Sequence, residues 1–132
     1  MGRSIMAVLA GATLWAILWI GSNAALAAIF PSRIVVNEYI GHVGILTTMF
    51  ALSVVYSVLA GYATGVVART NRVGHGVALG VLQLALGIFF QAQYWQLMPL
   101  WYHLPFLALL LPANVYGAWL RDAAGRRVNA IA

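Results

Sequence analysis

Four apolar runs, near Ile5–Phe30, Gly41–Ala68, His75–Tyr94 and His103–Leu120, leave little of this chain for anything else. Each is close to or above the ~20 residues a helix needs to cross the hydrocarbon of a bilayer. No water is available there to satisfy exposed backbone groups, so a spanning segment must close its own hydrogen bonds, and a single run does so as a helix. The expected fold is all-α: an integral-membrane four-helix bundle forming one domain over the 132 residues. Composition points the same way, with 64% hydrophobic and 7% charged residues, against about half and a quarter in soluble domains.

The second and third runs form the expected centre, a helical hairpin closed by the basic turn Arg69-Thr70-Asn71-Arg72. Ser53, Ser57, Gly61 and Gly65 recur every fourth residue and make a row of small side chains along one helix face. Gly76, Gly80, Gln83, Gly87 and Gln91 fall on one arc of the next helix. Small rows of this kind let backbones approach closely, so the two faces are expected to meet each other within one chain.

All seven basic residues are arginine. Arg3, Arg69, Arg72, Arg121, Arg126 and Arg127 fall on one side of a four-span chain and Arg33 on the other. By the positive-inside rule this gives cytoplasmic N and C termini. The arginines sit at helix ends, with no basic stripe to track phosphates, so the net charge of +5 does not indicate nucleic acid.

Arg3, an apolar run and Ala25-Leu26-Ala27 together resemble a cleavable signal, but the run exceeds the usual ~7–15-residue signal core and is expected to be a retained helix. On it, Gly11, Trp15, Trp19 and Ser22 share a face, which suits packing against neighbouring helices. Phe30-Pro31 ends the helix, and a loop with Asn37-Glu38-Tyr39 follows. Glu38 is read as a capping or surface carboxylate at the next helix start. His42, Met49, Ser53, Tyr56 and Ser57 continue its stripe, which is expected to turn inward to interhelical bonds or to a polar cavity. The connection Gln93–His103 has the amphipathic rings of headgroup depth. In the last helix Pro112 is expected to free a carbonyl, with Asn114 and Tyr116 nearby either to satisfy it or to line a site. The chain then leaves the membrane at Trp119-Leu120-Arg121 for a short basic tail.

Glu38, His42 and His103 are the one set of metal-ligand types at shared depth, two imidazoles and a carboxylate, against the alternative of a capping glutamate and two interfacial histidines. The chain has no cysteine, no nucleotide-binding motif and no catalytic constellation, and no cofactor is indicated.

The run Ala60-Gly61-Tyr62-Ala63-Thr64-Gly65-Val66-Val67-Ala68-Arg69, with His75 and Ala78-Leu79-Gly80, resembles the second and third helices of an uncharacterised family of small four-span bacterial proteins. Leu100-Trp101-Tyr102-His103 and Leu111-Pro112-Ala113, through Gly117 and Leu120-Arg121, resemble the way their last helix opens and closes. This resemblance spans roughly the C-terminal two thirds of the chain. It implies four helices and residence in the bacterial inner (plasma) membrane, and brings no activity, cofactor or catalytic residue. Glu38 and His42 match no part of the pattern. The acidic residue that small multidrug-resistance transporters carry mid-membrane in their first helix is absent here.

An enzyme is not expected, since positioned acids, bases and nucleophiles are scarce. Every charge lies near a helix end, which disfavours a transporter or proton path. The expected function is an accessory or structural subunit of a larger membrane complex, with other membrane subunits as partners. The alternative is a small homo-oligomeric channel or carrier; cofactor or metal binding ranks third.

Overall fold

The computed structural model describes residues 1–132. Four helices follow one another: α1 (Gly2–Ile29), α2 (Val43–Ala68), α3 (Arg72–Gln93) and α4 (Leu100–Ile131), with a single 3₁₀ turn at Trp95–Leu97 before the last. All four are long and apolar enough to cross a membrane. They run alternately up and down, so both termini and the α2–α3 turn share one end, here the termini end. The other two connections share the loop end, where the Ile40 N–H donates to the Leu97 carbonyl at 2.8 Å.

The hairpin is present, but its glycines do not face each other. Methyl groups added at Gly61, Gly65, Gly76, Gly80 and Gly87 would all meet α4, against Asn114, Arg121, Ala118, Leu111 and Leu110 respectively. The glycine faces of both hairpin helices are thus turned to α4, which packs against α2 and α3, while α1 leans chiefly on α2. The closest approach is reciprocal. A methyl on Gly61 would fall on the Asn114 carbonyl of α4, and one on Gly117 of α4 would fall on the Val58 carbonyl of α2. α1 contributes Ala7 and Gly11 to the buried interior. Gly11 lies against Thr64, Leu79 and the Ala60 carbonyl.

Two kinds of packing divide the bundle. Toward the loop end, large side chains form the core: Ile40, Ile45, Leu46, Met49, Tyr102, Phe106 and Leu110, with Trp15 and Trp19 of α1 against them. Trp15 and Trp19 stack at 5.7 Å between centroids, and Trp19 reaches Phe106 at 5.3 Å. Toward the termini end, Ala60, Gly61, Thr64, Gly65, Gly76, Gly80, Gly117 and Ala118 let backbones approach. Dispersion across many close atom pairs is the cohesive force there, since lipid tails are as apolar as the helices themselves.

The ends of the helices differ from expectation in two places. α2 begins after His42, whose Nδ1 accepts the Ile45 N–H at 3.3 Å, so the histidine is the N-cap. Glu38 therefore lies outside the helix, exposed in the loop, and shares no helix face with His42. The basic tail is helical too. α4 continues to Ile131 and spans 32 residues, about 48 Å. Asp122, Ala123, Ala124, Arg126 and Arg127 include good helix formers and nothing there breaks the ladder.

Arginines finish α2. The last carbonyls of a helix have no partner within it, and here Arg3 Nε donates to the Val67 carbonyl at 2.9 Å and Arg72 Nε to the Gly65 carbonyl at 3.1 Å. Cations at this end also complement the helix dipole. The connecting turn is short, with Arg69 and Asn71 both at positive φ.

Candidate functional site

Polar side chains buried among apolar helices are the residues most in need of a physical account, because an unpaired one costs free energy wherever water is excluded. Ser53, Ser57, Thr64, Gln83, Gln91, His103 and Asn114 are all buried. Four of them form two pairs across the α3–α4 seam. Asn114 Nδ2 donates to Gln83 Oε1 at 2.7 Å, and also to the Leu110 carbonyl of its own helix at 2.7 Å. Nearer the loop end, His103 Nδ1 lies 2.5 Å from Gln91 Oε1. An amide oxygen can only accept, so in this arrangement the imidazole carries its proton on Nδ1.

The spacing explains why the pairs form. Gln83 and Gln91 are eight residues apart on α3, and His103 and Asn114 are eleven apart on antiparallel α4. These separations are about 12 and 16 Å of helix, and the differing side-chain lengths absorb the mismatch. Sliding α4 by one turn would break both pairs at once. The two bonds are therefore expected to favour this register over its one-turn neighbours, a role for which buried polar groups are suited.

His103 is held on a further side by Trp95, stacked at 4.6 Å with 14° between the planes. Tyr102 lies edge-on to it at 6.0 Å. Tyr102 and His103 thus turn into the bundle instead of joining an interfacial belt, whereas Tyr94, Trp95 and Trp101 are exposed. His103 Nε2, Tyr102 OH, Gln83 Nε2 and Asn114 Oδ1 are buried without a protein partner. Tyr116, near Pro112, faces outward and stacks on Trp119 at 5.8 Å.

The Glu38, His42, His103 set is not assembled. His42 caps α2, Glu38 is exposed in the loop, and His103 is buried against Gln91. No three histidine, aspartate or glutamate side chains converge in a way that would hold a metal ion. The inward polar stripe on α2 is also divided. Ser57 Oγ accepts from Trp15 Nε1 at 3.1 Å and so joins two helices, whereas Ser53 Oγ donates to the Phe50 carbonyl of its own helix at 2.8 Å.

A charged collar closes the termini end. Asp122 accepts from Arg72 Nη1 at 3.3 Å and pairs with Arg126 one turn further along α4. Sequence reasoning passed over Asp122, although a lone carboxylate within a basic segment, four residues from an arginine, is a recognisable pairing signal. Comparison of the chain with protein-family models, curated proteins and solved structures finds no match.

Proposed function

We propose that this protein is an accessory or structural subunit of a larger membrane assembly, seated in a bacterial inner membrane with both termini in the cytoplasm. One observation carries the reading. Beyond the Arg72–Asp122 collar α4 continues to Ile131, about two and a half turns, and on them Val128 is 67% and Ile131 88% exposed. Along the spans, exposed leucine and phenylalanine need no partner but lipid; α4, at about 48 Å, is longer than the ~30 Å hydrocarbon core, so its end past the collar is expected to lie outside the lipid tails. An apolar pair displayed there on a rigid helix suits a groove on another protein. Arg126 and Arg127 beside it are exposed and give the contact a charge preference for an acidic rim.

The test is purification of the full chain in mild detergent, with native-size analysis and mass spectrometry of co-purifying polypeptides. Other chains at fixed stoichiometry, lost from Val128→Asp while helicity and thermal midpoint are retained, are the expected result. A small oligomer of this chain alone would favour a homo-oligomeric channel or carrier instead. The orientation is checked separately. Reporters fused at Ala132 and within the 31–36 loop are expected to read opposite sides, and the same side for both would rule the topology out.

A further inference from the structure

At the loop end, between the close of α1 and the start of α2, lies a cavity of about 430 Å³ lined in part by Leu26, Phe30, Arg33, His42 and Ile45. Its lining is of two kinds. Leu26, Phe30 and the buried Ile45 supply an apolar wall. Arg33 and His42 supply nitrogen donors and Thr48 a hydroxyl, and no carboxylate lines it. Both ion pairs of the molecule belong to Asp122, so Arg33 makes no salt bridge. His42 is set by its capping role: Nδ1 accepts the Ile45 N–H, so the neutral ring carries its proton on Nε2 and is a donor there.

We propose that this cavity holds one anionic phospholipid, its phosphate on Arg33 and His42 and the start of one acyl chain against Leu26, Phe30 and Ile45. Charge complementarity selects the headgroup. A guanidinium binds phosphate through parallel charge-assisted bonds, and a zwitterionic lipid would bring a second cation to a site whose lining offers no carboxylate for it. The apolar wall selects a lipid over a free phosphate, because a soluble anion leaves that wall uncovered. The site is independent of the α4 extension and does not rest on the subunit reading.

The experiment uses the full chain in dodecyl maltoside, with bound lipid counted by native mass spectrometry. Dioleoyl phosphatidylglycerol is expected to be retained as one copy in preference to dioleoyl phosphatidylcholine. Arg33→Gln is expected to lower that preference about fivefold, the effect of losing roughly 1 kcal/mol of headgroup attraction. His42→Asp, which keeps a good N-cap residue while leaving no donor there, is expected to weaken it in the same direction. Arg69→Gln, at the opposite end and in neither ion pair, should leave it unchanged. Equal retention of the two lipids would overturn the proposal, as would an Arg33→Gln protein indistinguishable from the parent. Displacement of the lipid by millimolar glycerol 3-phosphate would also overturn it, showing an anion site without lipid selectivity.

Discussion

Gly117→Ala is expected to be among the most damaging single-methyl changes in this protein. The added carbon would occupy the position of the Val58 carbonyl and press on the Tyr62 amide of α2. Those are backbone atoms of a continuous helix, so no rotamer change relieves the overlap, and α2 and α4 must separate along the seam. Overpacking of a closed core costs about 1–3 kcal/mol and more when the obstacle cannot yield. Gly61→Leu, which drives a larger side chain into the Asn114 carbonyl from the other side, is expected to prevent assembly of α4. The informative control is Gly21→Ala on α1, where nothing lies within 4 Å of the added carbon. There the gain in helix propensity, about 0.5–1 kcal/mol, should stand alone. Denaturation in mixed sodium dodecyl sulfate and dodecyl maltoside micelles reads all three. Equal midpoints for the alanine variants at Gly117 and Gly21 would refute the close crossing.

The second large effect is expected at the amide pair. Asn114→Leu leaves the Gln83 amide buried with neither of its groups bonded, at a cost of about 1–3 kcal/mol. Adding Gln83→Leu removes the stranded amide and should recover much of that loss, because two apolar groups of similar shape can replace a buried hydrogen bond at little cost. Membrane hydrogen bonds measured in cycles average only ~0.6 kcal/mol, so the penalty of stranding one partner should exceed the worth of the bond itself. A double variant as unstable as the sum of the two singles would show that Gln83 and Asn114 do not act together. The same double variant tests register: with one of its two locks removed, α4 is expected to show broadened cross-linking to α3.

The four spans were legible because a run of some twenty apolar residues admits few structures in lipid. Partner choice was not. In water, an amphipathic stripe points inward, but in a bilayer both sides of a helix are apolar and the pattern no longer says which neighbour a face meets. The rows at Gly61–Gly65 and Gly76–Gly80 mark faces of close approach, and α4, the most distant element in sequence, is what approaches them. His103 illustrates a different difficulty. Its neighbours Trp101 and Tyr102 suggest headgroup depth, yet the buried positions Phe106, Leu110, Ala113, Asn114 and Gly117 form a helical stripe that extends back to it. Read along that stripe, His103 belongs inside, and so it meets Gln91. Glu38 failed as a helix-face residue for a local reason: the His42 ring supplies the cap, and the helix starts one residue after it. Asp122 and its partner Arg72 are fifty residues apart in sequence, a separation at which a single sequence carries no pairing signal.

Because α4 supplies the surface on which α2 and α3 pack, the order of synthesis matters for this chain. A ribosome delivers α1, α2 and α3 to the membrane first, and at that stage the glycine rows of the hairpin have no partner and the Gln83 and Gln91 amides have nothing across the seam. Without α4, the other three helices still touch one another, but the faces of α2 and α3 that meet α4 lie open as a trough. Closure of the bundle is expected to wait for the final segment, which then packs against both at once. During that interval the trough presents small-residue faces to any other helix in the bilayer, so the nascent protein is at its most promiscuous shortly before it becomes most specific.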